Sequence, residues 1–295
     1  MSERRPEHIF LFMQAELPWE LGPPDGRYLL RSAANGKPER VIVLTTLGAR
    51  QAGSSQGRLR RTGRRRREIP PEPEPEPVAT TRATIVDAVP VAVERQARAW
   101  LSDVDPERDV PVAFAALNRL LHARRIAAAD PYLREVSPSQ ALTIRAGFGD
   151  GEQVADGEWV HAVELPWSRV EVKLRRRGAA LRPDERLARL LAVREQPLVC
   201  EELALRARLD LDQGRLVHAA IELDRALAAA LGELADEQRA DLPLRVSELK
   251  SLHRDVAAAA QAALGPGPAE KVAEDTVRHA LERLEAALRA RSAAG

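Results

Sequence analysis

The chain has 295 residues, 44% of them apolar, which is enough for two cores and excludes a wholly disordered chain. Its 45 basic and 44 acidic residues leave a formal charge of +1, so no whole-molecule field draws it onto nucleic acid or an anionic membrane. A single cysteine, Cys200, excludes an internal disulfide or a multi-cysteine metal site and suits a reducing, cytoplasmic setting.

The first residues, MSERRPEHIFLFMQAELPWE, set Glu3 and Glu7 beside an apolar stretch of only Ile9 to Met13, so no signal peptide is expected. No apolar run approaches the roughly 20 residues that span a bilayer, and no membrane association is expected. His8 to Leu17 is apolar and β-prone, Arg27 to Ser32 is a possible strand, and Asn35-Gly36 marks a tight hairpin before the β-branched run Arg40 to Leu47. A three-stranded antiparallel meander is the simplest arrangement, and it needs later segments to cover its apolar face.

Between Arg58 and Arg67 the chain reads RLRRTGRRRR and then runs through Glu68-Ile69 into the PPEPEPEP stretch that ends at Pro77. No core can be built from this, so it reads as a solvated, disordered linker with an extended Pro-Glu spacer. Arg58, Arg60, Arg61, Arg64, Arg65, Arg66 and Arg67 could contact nucleic-acid phosphates, but no aromatic is interleaved for base stacking and the following glutamates blunt the charge. The general excess of arginine over lysine, with only Lys37, Lys173, Lys250 and Lys271, has a plain source in the codons of a GC-rich bacterial genome.

Thr80 to Val86 reads as a further strand. Val93 to Leu101 and Pro111 to Ala128 read as helices, the second with Phe114, Leu117, Leu121 and Ile126 on one broad face. Ala141 to Arg145 is short and ambiguous. The glycines and acids from Gly147 look like turns, Asp156-Gly157 a hairpin dipeptide, and Glu158 to Leu165 a strand with Trp159, His161, Val163 and Leu165 on one side. Gly147, Gly149 and Gly151 form no phosphate loop, because Asp150 and Glu152 would repel the anion. Asp150, Glu152, Asp156 and Glu158 are the candidate ligands for a hard cation, against the plainer reading of a polar turn, and with His161 this segment is the place an enzyme site would lie.

From Arg182 five helices follow: Asp184 to Arg194, Leu198 to Asp212, Arg215 to Leu234, Asp241 to Leu264 and Ala269 to Arg291. The last two carry four-three apolar stripes and, joined by the breaker Gly265 to Pro268, should pack antiparallel. Ala207, Gly214, Ala219, Leu223 and Ala226 resemble the small positions of a tetratricopeptide hairpin. The aromatic positions and the period of about 34 residues are missing, so the segment reads as a helical hairpin of similar packing. Cys200 opens a helix but is flanked by Leu198 and Val199, as a buried small hydrophobe would be.

The expectation is an α+β fold: an N-terminal antiparallel sheet with packed helices, then an all-α helical-hairpin or bundle domain. The boundaries are residues 1–50 for the first β-rich part, 51–77 for the linker, 78–176 for the rest of the α+β domain, and 182–295 for the helices. No nucleophile elbow, Walker loop or kinase signature is present. The favoured function is therefore a non-catalytic cytoplasmic adaptor without a cofactor, which meets a protein partner or a second copy of itself through its helices. Nucleic-acid association through the arginine run comes second.

Overall fold

A computed structural model of the chain describes residues 8–34, 36–48, 78–151, 153–167, 183–235, 242–265 and 272–292. The fold is α+β and divides into two compact units, Met1–Glu171 and Val172–Gly295. The arginine run, the Pro-Glu stretch, Asn35 and Glu152 lie outside the described residues.

The first unit contains β1 (Ile9–Leu17), β2 (Gly26–Leu30), β3 (Arg40–Leu47), β4 (Thr80–Asp87), α1 (Glu94–Asp103), α2 (Pro106–Ala128), β5 (Thr143–Asp150), the single-turn α3 (Gln153–Asp156) and β6 (His161–Glu164). The six strands form one antiparallel sheet in the order β2-β3-β4-β1-β5-β6. This corrects the expected meander: β1 pairs with β4 and β5, not with β2. The reason lies in composition. β1, with sequence IFLFMQAEL, is buried along nearly its whole length and so requires neighbours on both edges, whereas GRYLL of β2 alternates half-buried and exposed, as an edge strand does.

On one sheet face Met13, Ala15, Ile42, Leu44, Ala83 and Ile85 pack against α2, which buries Val110, Ala113, Phe114, Leu117 and Leu121. Ile126, expected on the same face, is 68% exposed because it falls in the last turn, beyond the sheet-facing part of the helix. α2 starts five residues before the expected Pro111. Asp105 accepts a hydrogen bond from the Glu107 amide at 3.0 Å and Pro106 fills the first helical position, a stronger start signal than Pro111. Buried Asn118 donates to the Val136 carbonyl at 3.0 Å and accepts from the Val136 amide at 2.9 Å, pinning the chain that leaves α2.

The glycine-rich stretch expected as turns is strand as far as Asp150. Gly147 is required there by close approach: a Cβ would lie 2.6 Å from both the His161 carbonyl oxygen and Cζ of Phe12. The connection from β5 to β6 holds the helical turn α3 instead of a two-residue hairpin, and the final strand is shorter than expected. Trp159 consequently stacks on Phe12, with ring centroids 5.6 Å apart, on the face opposite His161 and Val163.

The second unit contains α4 (Pro183–Leu191), α5 (Val199–Asp212), α6 (Leu216–Glu233), α7 (Leu242–Leu264) and α8 (Glu274–Ser292). α5 packs on α6, α6 on α7, α7 on α8, and α8 closes back onto α5 and α6, so the four long helices form a bundle. The ion pairs Arg208–Glu285 and Arg291–Glu201 run in opposite directions along α5 and α8, which makes that pair antiparallel. α6 supplies the centre: Ala219, Ala220, Leu223, Ala226, Leu227 and Ala230 are all fully buried. Its alanines allow close approach, while burial of each leucine contributes about 1.5–3 kcal/mol.

Candidate functional site

The corner where α4 meets α5 and α8 carries the densest charge network among the described residues of the helical unit. It begins with a helix start that has no polar residue of its own at the cap, Leu198. The missing cap arrives from another helix: at the end of α6, Glu233 accepts the Val199 amide on Oε1 at 2.9 Å and the Cys200 amide on Oε2 at 3.0 Å. Burial opposes the Glu233 charge, but these amides and the nearby Arg291 outweigh it and hold the carboxyl below its usual range. The same burial, together with Glu233 beside it, pushes the Cys200 thiol up, so Cys200 stays a neutral thiol inside the bundle.

Around this start, Arg186 of α4 donates to Glu195 at 2.7 Å and to both oxygens of Glu201 at 2.7 Å, while Arg189 donates to Glu195 at 3.0 Å. Arg291 of α8 approaches Glu201 at 3.5 Å and Glu195 at 4.0 Å. Burial works against the charge of Glu195, yet the hydrogen bonds from Arg186 and Arg189 leave it lowered. α4 buries no apolar side chain, with Leu187 53% and Leu191 76% exposed, so these charges hold it in place.

Next to the network runs a groove of about 290 Å³. Ala204 and Leu205 of α5 and Leu288 of α8 form its apolar floor, and Arg186, Glu201, Glu285 and Arg289 form its rim. Leu205 is 69% exposed and Leu209, one turn later, 45% exposed. Arg208 bridges to Glu285 in a two-pronged contact of 2.7 and 2.9 Å. The arrangement presents an apolar stripe flanked by fixed charges of both signs, which suits the apolar face of a partner helix.

The sequence candidates fall elsewhere. Asp150, Asp156 and Glu158 are exposed along the β5–β6 connection. Among the described residues no hydrogen bond or ion pair joins them to one another or to His161, and no group of three or more His, Cys, Asp or Glu is placed to hold a metal ion. His161 stands on the other face, 5.3 Å from the Phe148 ring and 3.9 Å from Glu94. His253 of α7 meets Asp224 of α6 at 3.0 Å within the bundle seam. The groove, by contrast, joins residues about 80 positions apart, so its only sequence signal is Leu205 and Leu209 breaking an otherwise charged face of α5. Among the described residues no helix is long and apolar enough to cross a membrane. Compared with protein-family models, curated proteins and solved structures, the chain gave no match.

Proposed function

We propose that this is a non-catalytic interaction protein, an adaptor whose helical C-terminal unit receives an amphipathic helix, from a protein partner or a second copy, along the α5/α8 groove. One observation carries the reading: Leu205 is exposed on the apolar floor of a groove whose rim charges are already fixed by ion pairs, and Leu209 continues the exposed apolar stripe one turn along α5. Helix-in-groove recognition uses such a floor for affinity and such a rim for register. A cytoplasmic setting is part of the proposal and rests on the single cysteine.

The test is affinity purification of the native protein from its own cells with nuclease treatment, beside the variants Leu205→Asp and Leu209→Asp. A protein complex that survives nuclease and weakens at least about ten-fold in either variant supports the adaptor reading. A complex indifferent to both substitutions removes it. The second reading, phosphate contact through the arginines at 58 to 67, is separated by deleting those ten residues. It expects affinity for DNA or RNA, and the salt slope of that affinity, to collapse; the adaptor reading expects little change.

A further inference from the structure

Helix α4 is amphipathic with its faces inverted. At about 100° per residue, Asp184, Leu187, Ala188 and Leu191 fall at i, i+3, i+4 and i+7 on one face, and Arg186, Arg189 and Leu190 fall on the opposite one. The second face meets the bundle: Arg186 and Arg189 are held by Glu195 and Glu201, and Leu190 is half-buried. The first face is exposed at all four positions. An apolar stripe turned outward on a helix held chiefly by charge marks a contact surface.

The α5/α8 groove opens next to this stripe. Arg186 stands on the groove's rim, so the ridge of α4 and the floor of Ala204, Leu205 and Leu288 lie side by side. The stripe does not reach that floor, because it points away from the helices that anchor α4. The surface therefore holds both halves of one helix-in-groove contact, an apolar helix face and a slot for such a face. A foreign helix in the slot would leave the α4 stripe bare. A second copy related by a two-fold axis covers ridge and groove at once, each α4 entering the other's slot. The charges agree with that docking. Asp184 makes no ion pair with a described residue, and Arg289 on the groove rim meets among them only Glu285 of its own helix, at 3.7 Å. An Asp184–Arg289 pair across the interface would occur twice and fix the direction of α4 in the slot.

We propose that the chain forms a closed two-fold dimer in which α4 of each copy lies in the α5/α8 groove of the other, with Leu187 and Leu191 on the floor and Asp184 against Arg289. This rests on the groove reading above and names its occupant.

The test is sedimentation equilibrium of the full chain and of variants in either half, each checked for an unchanged far-ultraviolet circular dichroism spectrum. The parent should reach two copies and stop. Leu191→Asp on the ridge and Leu205→Asp in the groove should each weaken the dimer at least about thirty-fold, since every contact occurs twice. Mixing these two variants should give a dimer at a concentration where neither dimerises alone, because one of the two α4–groove contacts is then intact. Asp184→Arg should weaken the dimer about two- to thirty-fold, and Arg289→Asp in the same chain should restore it. A parent still monomeric at about 100 µM overturns the proposal. So does an assembly that grows beyond two copies, a dimer indifferent to Leu191→Asp, or a pair of variants that fails to complement. If the parent is monomeric yet a cellular complex is still lost in Leu205→Asp, this proposal alone falls; if neither a dimer nor a complex depends on Leu205, the groove reading falls with it.

Discussion

Two glycines of identical composition occupy opposite physical situations. At Gly147 an added methyl would meet a backbone oxygen at 2.6 Å, and the paired strand β6 cannot retreat without breaking its ladder. Gly147→Ala is expected to destabilise by about 1–3 kcal/mol, read as a lowered urea midpoint with an unchanged slope. Gly232, in the last turn of α6, has nothing within 4 Å of a built Cβ. Gly232→Ala should therefore stabilise by roughly 0.5–1 kcal/mol in the same measurement, because alanine favours the helix and restricts the unfolded chain. Cys200 gives a third outcome of this kind. With its thiol buried and held protonated, it should react with a disulfide reagent at pH 8 only at the rate of unfolding, and a reaction as fast as that of a free thiol would contradict the burial.

Among the elements, α4 depends most on charge. None of its apolar side chains is fully buried, Leu187 and Leu191 being exposed and Leu190 half-buried, and Arg186, Arg189, Glu195, Glu201 and Arg291 tie it to α5 and α8. Glu195 and Glu233 both have folded-state pKa values below the ordinary range. Their contribution is thus complete above the unfolded carboxylate value of about 4.3 and is lost as pH falls through the lower folded values. Hydrogen exchange should show α4 and the start of α5 opening at acid pH before α6 does, and simultaneous loss across the bundle would refute the charge-held attachment. Glu195→Gln at neutral pH is expected to weaken α4 locally by about 1–2 kcal/mol, a five- to thirty-fold loss of amide protection in Leu187–Leu191. Protection in α6, whose central residues are alanine and leucine, should not change.

For the molecule as a whole, each unit has a core of its own. That of the helical unit is drawn from Leu198 to Leu288, and that of the sheet unit from Met13 to Trp167. A fragment of residues 183–295 should accordingly retain a helical spectrum and a cooperative melt, and a non-cooperative fragment would show that the bundle needs the rest of the chain. The α+β class, the strands at 9–17, 40–47 and 80–87, and the helical character after residue 182 were legible in sequence, because period-2 and period-3.6 apolar patterns are local. The place of β1 between β4 and β5 was not, because strand neighbours are chosen by burial across more than 60 residues. For the same reason the α5/α8 groove and the Glu233 cap on α5 had no motif to announce them. A periodic face states that a segment must be covered; which segment covers it, and which charges meet at the join, is settled when the whole chain competes for the same buried surface.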